Sequence, residues 1–167
     1  MDAKLWVCGT NDRSRIESLA FRIWKPAFRD ILPPDRLDYL FEWMYAPEKL
    51  EQQLADNDTR FYLLLHNGQD IGYAQLLFLD DHTKLEKLYV DQAFRKRKLG
   101  LWFLNALVGE VRARGFNVIR LQVNRANITA IDFYRKFGFT TIASKDFDVG
   151  EGHVMDDFVM EWRANQN

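Results

Sequence analysis

The stretch from Leu85 to Gly100, Leu-Glu-Lys-Leu-Tyr-Val-Asp-Gln-Ala-Phe-Arg-Lys-Arg-Lys-Leu-Gly, constrains the fold more than any other part of the chain. Its first half is apolar and rich in β-favouring residues, the pattern of a strand. Its second half is a basic run, Arg95-Lys96-Arg97-Lys98, followed by Leu99-Gly100. From Leu99 onward Phe103, Ala106, Leu107 and Val111 recur at steps of three and four residues, a helical stripe. A strand therefore hands over to a helix across the basic run. The first amides of a helix have no intrahelical partner, and they lie at the positive end of its dipole. Four cationic side chains around such amides make a candidate cradle for a phosphate or pyrophosphate. A charge run by itself is more often a solvated face; its place at a strand-to-helix junction favours the cradle.

The remaining composition bounds what such a junction can belong to. The 167 residues, 47% of them hydrophobic, are enough for one packed domain over residues 1–167 rather than a disordered chain. Lys and Arg number 23 against 24 Asp and Glu, a net charge of −1, which argues against a general nucleic-acid binder. Cys8 is the only cysteine, so no intrachain disulfide or cysteine-based zinc site is available, and a reducing cytoplasm is expected. His66, His82 and His153 are scattered without a helical ligand pair, so no metal is expected. The start, Met-Asp-Ala-Lys, has no signal-peptide pattern, and no apolar run is long enough for a membrane span.

In chain order, Leu5 to Thr10 reads as a first strand. Ser14 with Glu17 fits a capping box before a stripe of Ile16, Leu19, Ala20, Ile23 and Ala27, which Ile31-Leu32-Pro33-Pro34 ends. Asp35 with Asp38 opens a second helix with Leu37, Leu40, Phe41 and Met44 on one face, and Pro47 suits the first turn of a short third helix to about Leu54. Arg60 to His66 and Asp70 to Leu79 are strands joined by Asn67-Gly68, a type I′ hairpin signal. Asp80-Asp81-His82-Thr83 then turns into the central strand. The central helix ends near Arg114-Gly115, with glycine as the residue after the cap. Asn117 to Val123 is another strand; Asn127 caps a helix with Ala130, Phe133 and Phe137 toward the core, and Gly138 ends it. Phe139 to Ser144 and Met155 to Trp162 are the last strands, joined by a polar link from Asp146 to Gly152. The order β-αα-βββ-α-β-α-ββ describes a mixed α/β (α+β) sandwich around one sheet.

Two motifs carry a resemblance to a known family. Leu88-Tyr89-Val90-Asp91 followed by Arg95-x-x-Lys98-x-Gly100 resembles the coenzyme A signature of the GCN5-related N-acetyltransferases (GNAT), with Lys98 where the family usually has its first glycine. About 30 residues further on, Val123-Asn124-x-x-Asn127-x-x-Ala130-x-x-Phe133-Tyr134-x-x-x-Gly138-Phe139 is similar to the family's second cofactor segment. The resemblance covers most of the chain. It implies a mostly antiparallel sheet, splayed between the strands ending at Val90 and Val123, with acetyl-CoA in the split. It implies cofactor contacts from Leu88, Tyr89 and Val90, whose backbone would pair with pantetheine like an added strand. The pyrophosphate would be held by Arg95, Lys96, Arg97, Lys98, Leu99, Gly100 and Leu101, mainly through amides.

Acetyl transfer from a thioester to an amine needs a neutral amine, a polarised carbonyl, a proton for the departing thiolate, and both substrates in line. Tyr134 is the candidate acid implied by the resemblance, since a phenol can protonate a departing thiolate; spacing alone favours a core aromatic. Glu86 is the candidate base. Period-2 parity puts it on the face of Leu88 and Val90 unless a bulge intervenes, and the alternative is a surface charge or a salt bridge to Lys87. Asn127 is either a plain N-cap or a contact to the pantetheine arm.

For the acceptor, Asp148-Val149-Gly150-x-Gly152-x-x-Met155-Asp156-Asp157 resembles bacterial members near the spermidine/polyamine acetyltransferases. Asp156 and Asp157 would hold a cationic amine, together with Glu86. Trp24 and Phe28 belong to an aromatic stretch, Trp24 to Tyr45, that would wall the acceptor pocket by cation–π contact. The expected function is therefore acetyl-CoA-dependent acetylation of a small primary amine by direct attack, without metal, nucleic acid or membrane, in a possible homodimer. The alternatives are acetylation of a protein amine, a non-catalytic coenzyme A sensor, and, least in keeping with the charge balance, a nucleotide or nucleic-acid binder using the basic run.

Overall fold

The computed structural model describes residues 2–148, 150, 152 and 154–165, and of Phe147 and Met155 the backbone alone. Val149, Glu151 and His153 of the expected acceptor segment thus lie outside the described residues. The elements are β1 (Ala3–Val7), α1 (Arg13–Phe28), α2 (Pro34–Tyr45), α3 (Pro47–Ala55), β2 (Thr59–His66), β3 (Gln69–Phe78), β4 (Thr83–Val90), α4 (Leu99–Ala113), β5 (Val118–Asn124), α5 (Ile128–Phe137), β6 (Thr140–Asp148) and β7 (Val154–Arg163). The strands form one sheet in the order β1-β2-β3-β4-β5-β7-β6. Among the described residues only the β4–β5 pair is parallel. This is the mixed, mostly antiparallel architecture that the element order implies.

Strand alternation divides the core in two. Phe61 and Leu63 of β2 pack with Ile16, Leu19, Ile23, Trp24, Leu40 and Leu50 of α1–α3. Tyr62 and Leu64 face the other way, toward Phe103, Leu107 and Val111 of α4 and Ile131 and Tyr134 of α5. Helices therefore cover both faces of the sheet, which is what keeps the mostly apolar β2 and β3 buried.

The centre of the sheet opens. β4 and β5 pair only at Thr83↔Ile119, Lys84↔Arg120 and Leu85↔Leu121. Beyond that point β5 stays with β7 as far as Asn124↔Asp157, while β4 stays with β3 as far as Val90↔Gly72. The separation begins at a bulge. The β3–β4 register steps from Gln75↔Lys87 to Leu76↔Leu85, which leaves Glu86 without a counterpart. A bulge bends its strand and sharpens the local twist. It also resets the alternation: Leu85 packs in the α4–α5 core with Leu88 and Val90 against it, while Tyr89 joins the α1–α3 core. The expectation that Glu86 shares a face with Leu88 and Val90 therefore fails. Glu86 instead feels the charges of Lys84, Lys87 and Lys49 of α3.

Several local expectations are also corrected. The Ser14–Glu17 capping box does not form; α1 starts at Arg13 after a 3₁₀ turn, Thr10–Asp12, and Glu17 pairs with Arg13. The Asp12 carboxylate accepts from the Gly9 amide and the Trp6 indole instead. Helix α2 starts at Pro34 rather than Asp35, because proline is preorganised for the first helical position. In α5 the buried residues are Ile131 and Tyr134, with Ala130, Phe133 and Phe137 partly buried beside them. The β6–β7 hairpin takes in Asp146–Asp148, so the link between the strands is shorter than the polar residues imply. Asn67 and Gly68 do take the left-handed turn conformation, at φ 50° and 79°.

One lysine is buried under the helices. Lys87 is 4% exposed, and its Nζ donates to Gln75 Oε1 at 2.6 Å. Gln75 Nε2 donates to Thr59 Oγ1 at 3.1 Å, and Thr59 donates to the Leu76 carbonyl at 3.1 Å. The ammonium lies over the rings of Tyr45 and Phe61 at 5.3 and 5.7 Å. Burial pushes its pKa down from 10.5 to about 8, with Glu86 opposing the shift. In the interval above about 8 the unfolded chain holds a proton that the native lysine has released, so stability rises with pH there. Urea unfolding should show a gain on the order of 1–2 kcal/mol between about pH 8 and 9.5, and Lys87→Met should flatten that slope. Cys8, raised from 9.0 to about 12, opposes the gain from about pH 9, and buried tyrosines such as Tyr45 and Tyr73, whose pKa values are raised, do so from 10.0, so the difference between the parent and Lys87→Met isolates the lysine.

Candidate active site

The opening between β4 and β5 holds a cavity of about 1250 Å³ that runs from the basic loop to the α1–α2 helices. At one end lie Leu88, Tyr89 and Val90, the part of β4 that β5 has left. Their backbone groups on that side have no strand partner, so an extended amide-bearing arm can take the place of β5.

The loop after β4 is built by local hydrogen bonds. Asp91 Oδ1 accepts from the Ala93 amide at 3.0 Å, and Arg22 of α1 donates to Asp91 Oδ2 at 3.0 Å and to the Asp70 carbonyl at 3.0 Å. A 3₁₀ turn, Gln92–Phe94, follows. Lys96 and Lys98 then both take left-handed backbone, at φ 64° and 61°. That conformation costs an L-residue roughly 1–2 kcal/mol, and it explains why a glycine suits the position of Lys98. Trp102 N to Lys98 O, 3.0 Å, is the first helical hydrogen bond of α4. The amides of Leu99, Gly100 and Leu101 are therefore the ones left for an anion.

The side chains of Arg95, Lys96, Lys98 and Leu101 line the cavity, with Gly100 beside them. Two expected contacts do not bring their side chains to it. The Arg97 guanidinium lies over the Phe94 ring at 5.4 Å, and Leu99 is a core residue, 1% exposed. Lys136 of α5 reaches the cavity, which the sequence shows only as a cation in a helix's last turn. Asn127 lines it too, and its Oδ1 caps α5 by accepting from the Ala130 amide at 3.3 Å.

Tyr134 lies in the middle of the cavity wall. Its ring meets Phe133 and Phe139 edge-on, both at 5.4 Å. Burial raises the phenol's pKa well above its usual value, so it stays protonated at neutral pH. Tyr89 is adjacent: burial first, then Tyr134, Glu86 and Asp157, raise its pKa in the same direction.

The far end is aromatic and acidic. Trp24 and Phe28 of α1 stack at 5.0 Å, Phe28 meets Tyr89 at 6.1 Å, and Ile31, Leu32, Trp43 and Met44 complete the wall. Glu86 pairs with Lys84 at 2.9 Å. Burial works to raise its pKa, but Lys84, Lys87 and Lys49 outweigh it and hold the carboxyl below its ordinary value. Asp157 is 2% exposed, and among the described residues its Oδ1 has no hydrogen-bond partner. Burial first, then Asp156 and Glu86, push its pKa up to about 6 against the pull of Lys84. Asp156 does not join it. Strand alternation turns that side chain outward, where it pairs with Arg125 at 2.7 Å. Lys84 stands in no motif and is brought in beside the bulge, while Asp148, which opens the acceptor motif without a role assigned to it, is brought in by the length of the β6–β7 hairpin.

The acetyltransferase (GNAT) family model matches residues 19–139. The chain belongs to that family. It is an acetyl-CoA-dependent N-acetyltransferase, and acetyl-CoA is a substrate for which the free β4 edge and the α4 amides are the fitting groups. The chain is 23% identical over 132 residues to a spermidine N(1)-acetyltransferase of Thermoplasma acidophilum, covering 77% of this chain and 82% of the relative. It is 33% identical over 108 residues to the [ribosomal protein bS18]-alanine N-acetyltransferase of Salmonella typhimurium, covering 62% and 73%. The fold matches the PaiA N-acetyltransferase of T. acidophilum, solved in complex with coenzyme A, with a TM-score of 0.83, 23% identity, and coverage of 98% and 99%. Among the described residues no helix is long and apolar enough to cross a membrane.

Because Lys98 already has the backbone that glycine takes freely, the substitution Lys98→Gly should leave the cradle in place and relieve strain. Calorimetry should give acetyl-CoA affinity equal to or better than the parent's. A loss of tenfold or more would mean that the Lys98 ammonium itself contacts phosphate.

Proposed function

We propose that this N-acetyltransferase acts on the primary amine of a small, polyamine-like molecule, which attacks the thioester directly. The observation that carries this reading is the acceptor end of the cavity: an aromatic wall with two carboxylates, Glu86 and Asp157, facing the split where the thioester would lie. Aromatic faces and carboxylates together suit an aliphatic ammonium. The hairpin also favours a small acceptor. A Cβ placed on Gly150 would come within 2.8 Å of Tyr39 Oη, so the hairpin end packs against α2, and Asp148 of the same hairpin lines the cavity. The spermidine acetyltransferase relative is in keeping with it.

In this reading Glu86, kept anionic by its lysines, holds the cationic part of the acceptor. Tyr134 donates to the sulfur as negative charge develops there, and its raised pKa keeps that proton available. Backbone amides on the free β4 edge polarise the carbonyl. Cys8 supports direct attack: it lies just beyond β1, and burial first, then Asp12 and Asp70, push its pKa up to about 12, which is unsuited to a nucleophile. A second reading, acetylation of a protein N-terminus, has the 33% identity to the bS18-alanine enzyme in its favour.

Free-thiol release from acetyl-CoA should be measured over polyamines, amino acids, aminoglycosides and short peptides. Release with spermidine-like amines is the expected result; release only with an alanine-initiated peptide would select the second reading. With the responding acceptor, Tyr134→Phe should lower kcat by about a hundredfold while acetyl-CoA affinity changes far less. Unchanged turnover would remove Tyr134 as the acid.

A further inference from the structure

The sequence points to Glu86 as the base, and the geometry points elsewhere. We propose that Asp157 accepts the proton of the acceptor's ammonium group and that Glu86 does not. This rests on the reading above, that an amine enters by the aromatic end of the cavity.

Among the described residues Asp30, Glu86, Asp148 and Asp157 line the cavity, with Asp156 next to Asp157. Asp30 is exposed to solvent at the end of α1, and Glu86, Asp156 and Asp148 are engaged. Glu86 is held by Lys84 at 2.9 Å, Asp156 by Arg125 at 2.7 Å, and Asp148 Oδ1 accepts from the Gly150 amide at 2.8 Å. Asp157 is the buried one, at 2% exposure; it lines the cavity, and its Oδ1 has no hydrogen-bond partner among the described residues. A buried carboxylate oxygen left without a donor is costly unless a ligand supplies the donor. An ammonium supplies it. The position is equally specific. Asp157 stands opposite Asn124, at the last β5–β7 pair, where the sheet has already opened. Tyr89, Tyr134, Glu86 and Asp157 all line this one cavity.

The charges facing Asp157 come from β4 and β7. Asp156 and Glu86 raise its pKa and Lys84 lowers it, and burial is the largest influence, for a value of about 6. Such a group is ionised at neutral pH and close enough to it to act as a base. Glu86, held below its ordinary range, is a weaker base and a better permanent anion. The aromatic wall strips water from the incoming ammonium, which lowers the amine's own pKa and eases the transfer.

The ammonium gives one proton to Asp157 and becomes a neutral amine. The amine nitrogen forms a bond to the thioester carbonyl carbon, and the carbon–sulfur bond breaks. The sulfur takes a proton from Tyr134, which is replenished by the second proton that the nitrogen sheds on becoming an amide. The proton on Asp157 leaves to solvent, so each turnover releases one proton, one amide and one free thiol.

The test uses the intact enzyme with spermidine, or with an alanine-initiated peptide if that is the responding acceptor. Wild-type kcat should fall on the acid side with an apparent pKa near 6, because protonated Asp157 cannot accept. Asp157→Asn should lower kcat about a hundredfold or more near pH 7, lose that acid limb, and recover as the pH rises toward the amine's own pKa. Hydroxylamine, already neutral near pH 7, should be acetylated by Asp157→Asn and the parent at rates within a few-fold. Glu86→Gln should raise the acceptor's KM and keep the acid limb. An Asp157→Asn effect confined to KM, or an acid limb lost in Glu86→Gln instead, overturns the proposal. If the asparagine variant does not fold, Asp157→Glu and the wild-type profile decide it, and a flat wild-type kcat from about pH 5 to 8 overturns it. If no amine is acetylated, the substrate reading has failed separately. Carboxyl carbon NMR of the acetyl-CoA complex then decides, because an Asp157 titrating in the ordinary carboxylate range overturns the base assignment by itself.

Discussion

The three-pair contact between β4 and β5 is the constraint on which the site depends. A parallel pair continued to the ends of both strands would close the sheet and bury Leu88 to Val90 against β5. Ending at Leu85↔Leu121, it leaves a free strand edge on one side and a wall formed by β5, β7 and α5 on the other. The bulge at Glu86 is the local cause. It bends β4 away, and it moves Leu85 to the α4–α5 core while Lys87 turns under α1–α3. Both cores are thereby filled on either side of an opening that a regular strand would not produce.

Polar burial follows from the same irregularity. Lys87 is brought beneath the helices, and it is tolerated because Gln75, Thr59 and the faces of Tyr45 and Phe61 receive it. Its charge in turn lies beside Glu86. Three lysines around one carboxylate hold Glu86 as an anion, while Asp157, with a single lysine nearby and two acidic neighbours, is pushed toward its neutral form. The pKa values of two carboxyl groups in one cavity are thus pushed in opposite directions by their surroundings rather than by their chemistry.

The two ends of the cavity are also tied together mechanically. Arg22 projects from α1, the helix that supplies Trp24 and Phe28 to the acceptor wall, and holds Asp91, which in turn organises the first turn of the anion loop. That loop then carries two lysines in left-handed backbone immediately before α4. Strain of this kind persists only where the neighbouring structure over-determines the chain. Here the ion pair on one side and the α4 core residues on the other do so.

Much was legible along the chain because it depends on local chemistry. The strand-to-helix handover at Lys98-Leu99, the Asn67-Gly68 turn, the prolines at the starts of α2 and α3, the Asn127 cap and the order of strands all follow from periodicity and turn residues a few positions apart. Tyr134 and the basic loop could be named because their motifs are contiguous. Tertiary structure decided the face of Glu86, the separation of Asp156 from Asp157, the arrival of Lys84, Lys136 and Asp148 in the cavity, and the withdrawal of Arg97 and Leu99 from it. A bulge is set by pairing with a strand distant in sequence, and burial and pKa are set by neighbours that no spacing rule brings together. The sequence by itself determined the fold and the class of reaction; the register of β4 against β3 and β5 decided where the sheet opens and which charges surround Glu86.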